Sequence, residues 1–302
     1  MNLRKSVTIR VPGSTSNCGA GFDTLGMAVN VSNAVMVSRL AYGSEPRPMR
    51  ESDVRAQEMV MAAAKLYFKT VSQTAFGFTY QIDGEVPSAR GLGSSVTVRA
   101  GIIAALDALE ETKLSRKQIV AMVTELEGHP DNAAASILGG FCVARSDPQT
   151  GAYIDTVRIE VPEELVFVVA SPLIEVSTES SRGTLPETLP YFDAVRSINS
   201  ATYLVAAMAT RDYDQLKGAV SDFMHEPYRL PGIAGASDAI AAGMKAGALT
   251  GWLSGSGSSV MCVCRREADE AVLSAMRAAL TDQGLECDAL ILQVDNTGLR
   301  SG

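Results

Sequence analysis

The segment PSARGLGSSVT, residues 87–97, sets glycines at 91 and 93 and hydroxyls at 94 and 95 directly before an apolar run. Glycines let a backbone curl until successive N–H groups face an anion, and a following helix adds the positive end of its dipole. Ser94 and Ser95 could give hydroxyls to a phosphate oxygen or to a magnesium ion. No lysine follows the glycines, so the pattern is not GxxxxGK[ST], and it does not match GxGxxG. Taken alone it reads equally well as a capped helix start.

Two further loops have similar chemistry. In VPGSTSNCGAGFDTLGMAV (11–29), small residues surround Asn17 and Asp23, which could face one ligand, although both types are common turn formers. In SGSGSSVMC (254–262) a glycine-serine loop lies between apolar strands and by itself suggests a tight hairpin.

The elements that must position these loops follow from periodicity. Strands are expected at 6–13, ending in Pro12-Gly13, and at 27–40, then a loop over 41–53, a helix over 54–70 and a strand over 77–87. Helices follow at 95–110, at 115–128 with Ser115 as N-cap and Gly128 as stop, and at 132–140. Strands come next at 141–145 and 155–161. After Pro162 the second half offers strands at 165–170, 251–255, 258–265 and 289–295. Its helices fall at 197–210, 212–224, 236–246 and 267–283. Strands and helices interleave without a regular βαβ rhythm, which indicates an α+β chain of two domains, 1–162 and 163–302.

With 302 residues, 46% hydrophobic and 20% charged, the chain is of ordinary globular composition. Its net charge of −8 and lack of a basic block count against nucleic acid or an anionic membrane as partner. Cys18, Cys142, Cys262, Cys264 and Cys287 form no CxxC pair and read as buried small hydrophobes of a reducing cytoplasm. The first residues lack the apolar segment of a signal peptide, and no stretch approaches the ~20 apolar residues of a membrane span. The expected location is cytoplasmic.

Together the three loops resemble the signature motifs of the GHMP kinases, the small-molecule kinases that include the galactokinases, mevalonate kinases, phosphomevalonate kinases and homoserine kinases. PSARGLGSSVT is similar to their PxxxGLGSSAA phosphate loop except at Val96 and Thr97. The segments TSNCGAGFDTLGMAV, ELEGHPDNAAASILGG, EVSTESSRGTLP and EPYRLPG are similar to those of homoserine kinases in the same order, over about residues 8–295.

The resemblance implies an N-terminal domain like domain 2 of ribosomal protein S5, a ferredoxin-like C-terminal domain, and an active site between them. It implies ATP held by Pro87, Ser88, Ala89, Arg90, Gly91, Leu92, Gly93, Ser94, Ser95, Val96 and Thr97, with Mg2+ on Ser95 and Glu127. A bystander Glu127 at a helix C-terminus would oppose the dipole. L-homoserine would present its ammonium to Asp23 and its carboxylate to Arg182 and Arg229, while Asn17, His129 and Asn132 orient it. Ser95, Glu127 and Asn132 would form the catalytic group. His225 reads as structural. Relatives place an asparagine against the base where this chain has ESDVRAQEMV, so Ser52 or Asp53 would substitute. Asp131 corresponds to a proposed base of mevalonate kinases, a role left open here. Also open are a homodimer, another GHMP kinase such as a threonine kinase, and a non-catalytic ligand-binding regulator. The phosphate loop is expected at the surface.

Overall fold

A computed structural model describes residues 5–41, 43–219 and 221–302. The first half contains β1 (Ser6–Ser16), β2 (Leu25–Arg39), β3 (Arg47–Pro48), α1 (Gln57–Val71), β4 (Phe78–Gly84), α2 (Ser94–Glu110), α3 (Arg116–Glu127), α4 (Asp131–Leu138), β5 (Phe141–Ser146) and β6 (Tyr153–Ile159). The second contains β7 (Leu165–Pro172), α5 (Thr178–Gly183), α6 (Tyr191–Thr210), α7 (Glu226–Arg229), α8 (Ala236–Lys245), β8 (Thr250–Leu253), β9 (Val260–Arg265), α9 (Asp269–Thr281), β10 (Cys287–Leu292) and β11 (Arg300–Ser301). No helix among the described residues is long and apolar enough to cross a membrane.

The long β2 organises the first sheet. Its residues 33–39 pair with β4, and Leu25–Met27 pair with β5. The order is β11-β1-β2-β4-β3, with β6 added beyond β5. Helices α1–α4 cover one face, where Val35, Val37, Tyr67, Tyr80, Ile102 and Leu106 are each fully buried. Each such side chain contributes about 1.5–3 kcal/mol of transfer free energy. Ser115 caps α3 as expected: its Oγ accepts from Gln118 N at 3.2 Å while Gln118 Oε1 accepts from Ser115 N at 2.9 Å.

The second sheet runs β10-β7-β9-β8, all antiparallel. β7 reads LVFVVA because both its faces are covered. Leu165, Phe167 and Val169 face β2, β5 and α6, while Val166, Val168 and Ala170 face α8 and α9. Burial pushes the Cys142 and Cys262 thiols up to about 12 and Cys264 to about 11, so these are inert core residues.

Several expected boundaries differ. β1 does not stop at Pro12-Gly13, because a register shift between Pro12 and Ser14 absorbs the missing N–H and pairing resumes to Ser16. Within the expected loop a 3-10 turn, Glu51–Ala56, precedes α1. α6 begins at Tyr191 rather than 197, its first turn masked by the exposed Tyr191, Phe192 and Val195. The helix expected over 212–224 shrinks to a 3-10 turn, Tyr213–Gly218. After it the Asp222 carboxylate accepts from the N–H groups of Met224, His225 and Glu226 and opens α7. The strand expected at 289–295 is β10, Cys287–Leu292, and stays in the second sheet; the chain beyond it returns to the first, where β11 pairs with β1.

Candidate active site

The three glycine-serine loops meet. Ser14 N donates to Leu92 O at 3.1 Å, Gly255 N to Ser16 O at 3.3 Å, and Ser259 N to Arg90 O at 3.3 Å. Asn17 Nδ2 donates to Gly255 O at 3.0 Å, and Ser254 Oγ to Gly91 O at 2.7 Å. Residues 254–259 therefore form the β8–β9 hairpin and also close the phosphate loop from below. Between the loops lies a cavity of about 460 Å³.

At one end is the N-terminus of α2. Gly93 is its N-cap in the left-handed region, φ +70°, and Gly91 has φ +75°. A Cβ at Gly93 would lie 2.5 Å from Ser14 Oγ, and one at Gly91 would lie 2.0 Å from Ser254 O. The loop lies at the surface as expected, with Ser88 and Ala89 exposed, while its underside is packed. Ser88, Ala89, Arg90, Gly91, Gly93, Ser94 and Ser95 line the cavity. Pro87, Leu92, Val96 and Thr97 lie outside the lining. Leu92 and Val96 are core residues, and Thr97 Oγ1 accepts from Asn33 and donates to Ser94 O.

Ser95 Oγ donates to Glu127 Oε2 at 3.1 Å, joining the first turn of α2 to the last of α3. Arg99, one turn beyond Ser95, sets its guanidinium 2.9 Å from Glu127 Oε1. A hydroxyl and a carboxylate oxygen at one end of the cavity suit a hard divalent cation. The signal for Arg99, overlooked in the sequence reading, was a lone cation four residues after Ser95 in an otherwise apolar helix.

Asp131 and Asn132 begin α4, and His129 lies just before it. Asp131 Oδ1 lies 2.6 Å from His129 Nδ1 and accepts from Asn132 N at 2.7 Å. Burial disfavours charge on both, yet their mutual attraction outweighs it. His129 therefore lies above its ordinary value and Asp131 below its own. Asn132 accepts from Ser14 Oγ and donates to Ser16 Oγ, each at 2.9 Å. Ser14 and Ser16 were missed; their signal was a run of hydroxyl residues where a strand should end.

At the other end Arg182 forks onto Asp23, Nη1 to Oδ2 at 3.0 Å and Nη2 to Oδ1 at 2.6 Å. Asp23 is itself held in the left-handed region, its N–H bonded to Asn17 Oδ1. Arg229 bonds Ser181 O and Gly255 O. Both guanidiniums lie over the Phe22 ring, at 5.3 and 5.0 Å, with His225 stacked on Phe22 at 5.2 Å. Burial and the neighbouring Arg182 charge push Arg229 below its ordinary value, a strain that an anion would relieve. His225 Nε2 donates to Gly19 O at 2.8 Å, in keeping with its structural reading.

Ser52 and Asp53 also line the cavity, but the Asp53 carboxylate is held by Arg50 at 3.2 Å.

Residues 58–140 match the model of the GHMP kinases N terminal domain, and residues 204–282 match that of the GHMP kinases C terminal domain. A homoserine kinase of Moorella thermoacetica is 38% identical over 296 residues, covering 96% of this chain and 98% of that one. A homoserine kinase of Clostridium beijerinckii is 33% identical, with 97% of each chain covered. The crystal structure of homoserine kinase from Cytophaga hutchinsonii superposes with a TM-score of 0.88 at 27% identity, covering 100% of this chain and 98% of the other.

Proposed function

The chain belongs to the GHMP kinases and, within them, to the homoserine kinases; on that premise we propose that it transfers the γ-phosphoryl group of ATP to the side-chain hydroxyl of L-homoserine. The observation that carries this reading is the pairing of two unlike ends in one cavity. A glycine-rich helix start meets a hydroxyl–carboxylate pair in one part of it, and in another the Asp23 carboxylate is forked by Arg182, with Arg229 over the same Phe22 ring.

The backbone of residues 88–95 and the dipole of α2 hold the triphosphate. Ser95 and Glu127 would hold magnesium, which would supply charge neutralisation on the phosphate oxygens. Ser52, which lines the cavity and makes no side-chain hydrogen bond among the described residues, meets the base, whereas Asp53 is tied to Arg50. Asp23 receives the ammonium, and Arg182 and Arg229 the carboxylate. Asn17, His129 and Asn132 orient the hydroxyl for in-line attack.

Such transfer depends on positioning and charge neutralisation more than on a strong base. Asp131 suits a positioning role, since His129 and Asn132 occupy Oδ1 and its lowered pKa makes it a weak proton acceptor. The test is the product: 31P NMR of the chain with ATP, Mg2+ and L-homoserine should show ADP and a phosphomonoester together. ADP and inorganic phosphate alone would refute the reading.

A further inference from the structure

The proposed reader of the substrate ammonium, Asp23, and the proposed reader of its carboxylate, Arg182, are bonded to each other through both carboxylate oxygens. We propose that this fork is an internal stand-in for the amino-acid head group, so that the site favours a ligand bringing both charges at once. The inference rests on the homoserine reading above and adds to it a rule of selection.

Asp23 lies on the loop after β1 and Arg182 on the six-residue α5, so the fork spans the cavity between the two halves of the chain. Each partner has a preset frame. Asn17 Oδ1 fixes the Asp23 backbone, and Ser177 caps α5 by accepting from Ser180 N at 3.1 Å. Ser181 Oγ donates to Ser256 O at 3.3 Å, and Val176 N donates to Ala89 O at 3.1 Å. The backbone anchors of α5 thus do not depend on the fork, and the two side chains can part while both elements stay in place.

A zwitterion exchanges one internal ion pair for two: its ammonium takes Asp23, and its carboxylate takes Arg182 beside Arg229. A ligand with only an ammonium must break the same fork and leaves Arg182 without its partner, next to the like-charged Arg229. A ligand with only a carboxylate takes Arg182 from Asp23 and leaves that carboxylate with only the His129 imidazole, within 4.8 Å, near it. Stranding a partly buried charge is costly, so half-charged ligands are rejected by the protein's own pairing as well as by their missing contact. The side chains of Arg182 and Asp23 keep 37% and 32% of their exposure, which limits the competition to a modest factor.

The test measures Kd by ligand-observed NMR on the full chain for L-homoserine, 3-aminopropan-1-ol and 4-hydroxybutanoate. Arg182→Gln should bind 3-aminopropan-1-ol roughly three- to tenfold tighter than wild type, and Asp23→Asn should gain similarly for 4-hydroxybutanoate. Arg182→Lys retains the charge but gives up the fork, so a gain there rules out simple relief of repulsion. Both neutralising variants should bind L-homoserine at least tenfold more weakly. If L-homoserine weakens while neither half-ligand gains, or if Arg182→Lys shows no gain, the competing fork is refuted and the substrate reading stands. If L-homoserine binds all variants as it binds wild type, the substrate reading itself falls.

Discussion

Ser95 Oγ lies 3.1 Å from Glu127 Oε2, bringing a hydroxyl from the start of one helix against a carboxylate from the end of another. The Glu127 position does not benefit its isolated helix, since a carboxylate at a C-terminus opposes the dipole. Arg99 on Glu127 Oε1 offsets part of that cost and fixes which oxygen faces Ser95.

Glu127→Gln keeps the shape and removes the charge. It should lower kcat by roughly 10²–10³ while leaving L-homoserine Kd nearly unchanged, because charge neutralisation matters most in the transition state. Steady-state kinetics with direct binding checks this. A normal kcat at saturating Mg2+ would mean that the pair holds no metal.

Gly93→Ala places a Cβ 2.5 Å from Ser14 Oγ at a φ of +70°. We expect a loss of about 1–3 kcal/mol, read as a fall in Tm of roughly 2–8 °C, together with weaker ATP binding. Unchanged thermal melts and nucleotide titrations would show that the loop is free of Ser14 and the phosphates.

The His129–Asp131 pair sets a pH window. With its folded pKa raised, His129 contributes stability that is full below ~6.5 and is lost as pH rises through the raised value. With its folded pKa lowered, Asp131 contributes stability present above ~3.9 and lost as pH falls through the lowered value. The Tm gap between wild type and Asp131→Asn should be widest between about pH 4 and 6.5 and should narrow toward alkaline pH. A gap that widens above pH 7 would contradict the pairing.

The half-buried Glu226 behaves oppositely to a paired carboxylate. Burial, opposed by the Leu253 N–H it accepts at 2.7 Å, pushes its pKa up to about 8. A raised folded value means its contribution is present below ~4.3 and lost as pH rises through about 8. Glu226→Gln keeps an acceptor for Leu253 N and should raise Tm at pH 9 by roughly 2–6 °C, with little effect at pH 5. Equal melts at pH 9 would show that the carboxylate ionises freely in the fold.

The glycine-serine turn at 87–97, the Glu127–Asn132 stretch and the long apolar helix α2 were legible as local structure, because glycines, caps and hydrophobic period lie within a few residues of one another. β7 was legible from its unbroken apolar run. The 212–224 helix misled because its composition suits a helix, whereas Asp222 spends its carboxylate on three backbone N–H groups and turns the chain. The return of β11 to β1 depends on pairing across nearly the whole chain, which no local pattern encodes. Asp23 and Arg182 were each picked out, but their bond to one another spans 159 residues and appears only in the fold.

The most direct test of substrate identity is an ADP-release assay with ATP and Mg2+ over L-homoserine, L-threonine, mevalonate and 3-aminopropan-1-ol, for wild type and Arg229→Leu. Wild type should show its highest kcat/KM with L-homoserine. Arg229→Leu should reduce that value roughly ten- to a hundredfold and leave 3-aminopropan-1-ol little changed. Preferred turnover of mevalonate, or an equal loss on both amino alcohols, would contradict the assignment.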